Sequence, residues 1–272
     1  MRKYKYMILR RFTQFGVLAL YIAAHVYGLQ VLEGNLSSSV LFGTIPLSDP
    51  YAVLQMFVAG ATLATDVLLG AFIITILYLL VGGRSFCSWV CPINLITDAA
   101  NLLRRKLGIS SVQKRVYMSR SIRYYVLGIS LILSAIMGLA VFEIISPISM
   151  AHRGIVFGMG MGGGALLIIF LFDLLVHENG WCGYICPLGA FYSVVGKVSL
   201  IRVKHDADAC TECMRCKEVC PEKEVLFMVA KTSQSVLKGE CTNCARCIEV
   251  CDDDALNFSI RSLAVKAKES KQ

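Results

Sequence analysis

The sequence predicts an α-helical membrane protein, four transmembrane helices in two pseudo-repeats, followed by a small C-terminal α+β domain rich in cysteine. Three observations carry that fold class. The 272 residues are 56% hydrophobic and 17% charged, whereas soluble domains carry roughly a quarter charged residues. A C-x3-C-P motif occurs twice at a spacing of 95 residues, as Cys87-Ser-Trp-Val-Cys91-Pro92 and Cys182-Gly-Tyr-Ile-Cys186-Pro187. Eight of the twelve cysteines fall in two C-x2-C-x2-C-x3-C runs near the end.

Four stretches are long enough for a hydrocarbon core, which takes about 20 apolar residues. They are Phe12–Leu32, Gln55–Val81, Tyr124–Phe142 and Ile155–Val176. The first follows basic residues as a signal peptide would, but its apolar run is too long and no A-x-A-like cleavage site follows. It is therefore expected to stay as an anchor. Each half then reads as two helices and one C-x3-C-P motif.

The formal charge of +8 excludes little until it is located. From Glu178 onward there are 13 Lys/Arg and 13 Asp/Glu, so the excess belongs to the first 177 residues. No nucleic-acid partner is needed to explain it. Five basic residues lie in 1–11, none in 12–81, eight in 82–123, one (Arg153) in 124–176 and thirteen after that. By the positive-inside rule both termini, the 82–123 loop and the cysteine-rich tail face the cytoplasm.

In the fourth stretch, the pairs Gly158/Gly162 and Gly160/Gly164 predict close helix packing. After each C-x3-C-P motif a helical period runs through Ile93–Leu107 and Leu188–Ile201, ending in basic residues such as Arg104 and Arg202. Both are expected along the inner membrane surface. The domains expected are a membrane domain over 1–204, a cysteine-rich domain over 205–260 and a flexible tail over 261–272.

Cys210-Thr-Glu-Cys213-Met-Arg-Cys216-Lys-Glu-Val-Cys220-Pro221 matches the bacterial ferredoxin signature, and Cys241-Thr-Asn-Cys244-Ala-Arg-Cys247-Ile-Glu-Val-Cys251 repeats it. Three cysteines at two-residue intervals wrap one face of a cubane, and the fourth reaches the other cluster. Two 4Fe–4S clusters are expected in a ferredoxin-like domain. Cys210, Cys213, Cys216 and Cys251 hold one; Cys241, Cys244, Cys247 and Cys220 hold the other. Asp252 replaces the usual proline after the last cysteine, and with Asp253 and Asp254 it either lowers the neighbouring potential or starts a helix. Structural zinc sites pair separate C-x2-C knuckles and lack the interleaved third cysteine.

Cys87, Cys91, Cys182 and Cys186 are too sparse singly to hold a cluster, but pseudo-symmetric halves supply the four thiolates of a third redox centre. Thiol/disulfide chemistry and helix-start packing compete with that reading. Ionisable residues within helices are functional candidates. His25 and Asp66 fall at similar depth, ~20 Å from the cytoplasmic side at 1.5 Å per residue. There they accept the two protons of a quinol or form a structural hydrogen bond. Asp173, one turn from the inner surface, snorkels or pairs with Arg84.

With these motifs in hand, the chain resembles the NapH-type ferredoxin-like membrane subunits of the periplasmic nitrate reductase system. The resemblance spans nearly the full length. It rests on the helices, both C-x3-C-P motifs, the paired cluster motifs and the loop Gly34–Ser39 followed by Gly43–Pro50. It implies a quinol dehydrogenase component in the bacterial inner membrane, passing electrons from quinol with an iron–sulfur partner subunit and a multihaem cytochrome. The alternative is a membrane polyferredoxin that supplies electrons for assembly or maintenance of a respiratory metalloenzyme. Its relatives carry an extra periplasmic domain, for which the outer loops here are too short.

Overall fold

A computed structural model describes residues 4–108, 118–158, 162–263 and 266–267. Gly160 and most of the 261–272 tail lie outside them. The chain divides into two compact units, residues 14–76 with 90–191, and residues 1–13, 77–89 and 192–272.

Helix α1, Lys5–Tyr27, opens the chain and, among the described residues, is the one helix long and apolar enough to cross a membrane. The remaining three expected spans are broken or short. The second divides into α2 (Pro50–Val58) and α3 (Thr65–Val81), with Gly60 at φ +77° in the gap. Asp49 starts α2 by accepting from the Tyr51 amide, and Pro50 sits in the first turn, where its missing N–H costs nothing. The third, α6 (Ile122–Met137), stops at Gly138 in the left-handed region, a common helix terminator. The fourth is interrupted after α8 (Pro147–Phe157) at Gly158, φ +102°, before α9 (Gly162–Leu175). A hydropathy average runs straight over such breaks.

The first unit also holds a meander, β1 (Leu32–Gly34), β2 (Ser38–Leu41) and β3 (Ile45–Ser48), in the stretch expected to form an outer loop. The Glu143 carboxylate of α7 (Val141–Ile145) accepts at 2.6 Å from Ser37 beside the meander and from Ser149 of α8. Gln55, fully buried, accepts from the Phe142 amide at 3.0 Å. Such bonds are worth ~1 kcal/mol each when made and more when a buried partner is orphaned.

Helix α5 (Ile93–Lys106) packs against α9 and buries Thr97, Asn101 and Arg104. The Arg104 guanidinium, expected at a membrane surface, is 4% exposed and donates to the Asp173 carbonyl at 3.1 Å. Asp173 does not snorkel; it is fully buried and accepts from the Trp181 amide at 2.9 Å.

In the second unit, the end of α3 leads through Gly82 and Gly83 into α4 (Ser85–Trp89). A Cβ on Gly83 would lie 2.2 Å from the Gly196 nitrogen and the Tyr192 carbonyl, so only glycine permits this approach to α10 (Pro187–Gly196). Tyr78, Phe86 and Tyr192 pack as an aromatic cluster beside it. The helical period expected to reach Ile201 ends at Gly196, because Ile201–His205 forms β4, paired antiparallel with β6 (Leu256–Ile260). β4 also pairs with β5 (Thr232–Ser235), and β7 (Lys266–Ala267) joins β5 from the expected tail. Short helices α11 (Arg215–Glu218) and α12 (Arg246–Glu249) follow the cysteine loops.

Candidate metal centre

The two cysteine runs are wound alike. Glu212 and Met214 in the first, and Asn243 and Ala245 in the second, occupy the left-handed region at φ between 48° and 64°. Four non-glycine residues there cost on the order of 1 kcal/mol each, a strain that concentrates at functional sites. Alternating right- and left-handed residues also turn successive N–H groups inward, forming a nest for anionic atoms. The Glu212 amide already donates to Cys210 Sγ at 3.4 Å.

Cys220, Cys241, Cys244 and Cys247 line one cavity with Val203, Val225 and Leu226. Burial pushes the Cys247 thiol well up, and nearby Cys244, Cys220 and Cys241 push it the same way. Burial likewise drives Cys241 up to about 11. In the first run burial raises Cys216, and its neighbours Cys251, Cys210 and Cys213 add to this. Cys251 thus stands among the thiols of the first run and Cys220 among those of the second. Among the described residues no three His, Cys, Asp or Glu close on a single ion. A cavity lined by cysteine thiols and apolar side chains fits a 4Fe–4S cluster, which when bound would supply one-electron transfer.

The second loop is clamped from its own unit. Asn243 donates at 2.9 Å to the carbonyls of Val81 and Ile201, Trp89 Nε1 donates to Asn243 O at 3.1 Å, and Ser88 donates to Thr242 O at 2.7 Å. Arg84 bonds the Glu240 carbonyl and pairs with Glu222, not with Asp173. Sequence reasoning missed these supports; the one local signal was Asn243, a residue type that tolerates the left-handed region.

The first loop is more exposed. Cys213 is exposed, and Thr211 donates to Asp253 from both its amide and its hydroxyl, which holds that carboxyl below its usual range. Asp252 pairs with Arg215 at 2.6 Å.

Of the C-x3-C-P cysteines, Cys87 lies in α4 of the second unit, whereas Cys91, Cys182 and Cys186 belong to the first. Cys182 sits in a π-helical turn, Trp181–Ile185, 3.7 Å from the Thr97 hydroxyl, and Arg123 donates to the Gly183 carbonyl in the same turn. π-turns are rare and recur at functional sites. His25 is in the last turn of α1 and Asp66 in the first turn of α3, both exposed.

A 4Fe-4S binding domain family matches twice, at residues 63–110 and 159–205, and a 4Fe-4S dicluster domain family matches 202–252. The chain is 46% identical to the ferredoxin-type protein NapH of Escherichia coli, over 86% of this chain and 81% of that one. It is 42% identical to the methylamine utilization ferredoxin-type protein MauN of Methylorubrum extorquens, over 87% and 82%. NapH of Haemophilus influenzae is 44% identical over 82% and 77%. No solved structure matches. On this length and level of identity, the chain belongs to the NapH/MauN family of ferredoxin-type iron–sulfur electron-transfer proteins.

Proposed function

We propose that the chain is a membrane-bound electron-transfer subunit that oxidises quinol and passes electrons through iron–sulfur clusters towards a periplasmic nitrate reductase. One observation carries this reading: twin cysteine loops of the same winding, one closing on a thiol-lined cavity, in a chain 46% identical to NapH. The eight cysteines of the loops hold two 4Fe–4S clusters, Cys210, Cys213, Cys216 and Cys251 on one, Cys241, Cys244, Cys247 and Cys220 on the other.

The membrane domain crosses the inner membrane four times, with both termini in the cytoplasm. The basic-residue count supports that orientation, and the broken helices suit a protein interior where neighbours satisfy the freed backbone groups. Oxidation of a quinol to a quinone releases two electrons and two protons. The His25 imidazole and the Asp66 carboxylate take the protons, and the electrons pass singly to the cysteine-held clusters. Along α1 His25 lies 20 residues from Lys5, and along α3 Asp66 lies 15 residues from Val81, ~30 and ~22 Å of helix. His25 therefore stands near the outer face and Asp66 about 8 Å deeper, further apart than the ~20 Å shared depth that the sequence suggests. Each C-x3-C-P motif, Cys87/Cys91 and Cys182/Cys186, falls within a match to a 4Fe-4S binding family, which supports a further redox role for these cysteines. An iron–sulfur subunit and a multihaem cytochrome receive the electrons.

The likeness to MauN favours a second reading, in which the same wiring serves methylamine utilization or the upkeep of another metalloenzyme. Anaerobic vesicles carrying the subunit and its nitrate reductase partners, given quinol, test the first. Cluster reduction followed by nitrate-dependent reoxidation is expected; clusters that stay oxidised contradict quinol oxidation.

A further inference from the structure

The two cysteine loops share a backbone but not an electrostatic setting. Around 238–244 three guanidiniums donate to main-chain carbonyls: Arg202 to Lys238 at 3.3 Å, Arg84 to Glu240 at 3.1 Å and Arg10 to Cys244 at 3.4 Å. They come from β4, from the turn before α4 and from α1, and their exposures are 0%, 2% and 3%. Arg84 is matched by Glu222, which lines the cavity. Arg202 is not matched. Its Nε and Nη2 find no hydrogen-bond partner, and among the described residues no carboxylate stands within ion-pair distance of it. Glu240 and the Cys241 thiol act on it only through longer-range charge.

Around 210–216 the charges are exposed and mostly acidic: Glu212, Asp252 and Asp254 with Asp253, against Arg215. The pseudo-symmetry of the domain gives no reason for this difference. Burying a guanidinium without a counter-ion is costly, and unlike lysine it does not escape by losing its proton. A cubane on four thiolates carries net negative charge, which grows by one unit on reduction.

We infer that Arg202, seconded by Arg84 and Arg10, is the counter-charge of the cluster held by Cys220, Cys241, Cys244 and Cys247 and raises its reduction potential above that of its twin. The inference rests on the two-cluster reading above. Nearby positive charge favours the reduced cluster and carboxylates disfavour it, so the buried loop becomes the electron sink of the domain. It is then the acceptor suited to a mild reductant such as quinol. Arg202 does not line the cavity, which its strand neighbour Val203 does; it acts on the cluster through the field it sets at Cys241 and is a positioning residue.

Redox-poised EPR on the purified holoprotein reads the potentials of the two clusters of the cysteine-rich domain. Arg202→Gln keeps a donor for the Lys238 carbonyl and removes the charge. It is expected to lower one potential by at least the ~59 mV that marks a tenfold change in a one-electron equilibrium, leaving the other in place. The shifted signal should be the one lost in Cys244→Ser. Arg202→Lys should restore most of the shift, and Glu222→Gln should move the same cluster upward. Where Arg202→Gln does not assemble, Arg10→Gln makes the same comparison, with a downward shift of the same single signal expected. Potentials that stay put, that fall together, or that fall equally in the Gln and Lys variants overturn the inference. About four irons per chain in the unaltered protein would instead overturn the two-cluster reading, and this inference with it.

Discussion

Arg84 and Glu222, 138 residues apart in sequence, form a 2.5 Å ion pair in which both side chains are 2% exposed. The pair ties the turn before α4 to the segment that follows the first cysteine run. It also sets the first expectation. Arg84→Ala leaves a buried carboxylate unpaired and should cost ~3–5 kcal/mol, whereas Arg84→Met with Glu222→Leu removes both desolvated charges and should cost much less. Thermal unfolding of the detergent-solubilised holoprotein checks this. A double variant as unstable as the single one would show that the charges themselves are not what matters there.

Gly82 is the second test. Its φ is +129°, and an added Cβ would lie 2.2 Å from Asn243 Nδ2, which is already held by two carbonyls. Gly82→Ala should therefore combine backbone strain with displacement of the loop clamp, at a cost of roughly 2 kcal/mol or more. Iron loss from the cluster beside Asn243 is the expected readout, with the other cluster retained. Unchanged iron content and melting would contradict the clamp.

The crossed ligand sets give a third expectation that needs no assignment of individual signals. Cys220→Ser and Cys244→Ser should leave the same residual EPR spectrum, and Cys251→Ser should match Cys213→Ser. If Cys220→Ser instead resembles Cys213→Ser, each run holds its own cluster.

Thiol chemistry in the iron-free protein supplies a pH test. Burial holds Cys241 at about 11 and Cys247 well above its ordinary value, so both are neutral thiols at pH 8. Iodoacetamide, which thiolates attack with loss of iodide, should label them slowly there, with the Cys241 rate climbing as pH approaches 11. Because the folded state holds these protons more tightly than the unfolded chain, the iron-free domain loses stability as pH rises from about 9 through 11. The loss is on the order of 3 kcal/mol for Cys241. Stability that increases over that window would contradict the burial of these thiols.

Much of the cysteine-rich domain was legible because its chemistry is local. The spacing of each run specifies the ligand loop, and the repeat at Cys87 and Cys182 is visible to the eye. The helical region was less so. Hydropathy sums over a window and is blind to single-residue breaks such as those at Gly60, Gly138 and Gly158. Counting Lys and Arg gives their number along the chain but not their burial. Arg104 and Arg202 read as membrane-surface charges, Arg84 as a partner for Asp173, and Arg10 and Arg123 enter only the count, yet all five are buried against main-chain carbonyls. Their partners lie 36 to 234 residues away, a separation no local pattern encodes.

All of this depends on what the eight thiolates hold, and metal with acid-labile sulfide measured on anaerobically purified protein asks that directly. Iron and sulfide in equal amounts, at least about eight of each per chain, with a cubane EPR signal on reduction, is the expected result. Zinc in place of iron, with no sulfide released, would contradict it.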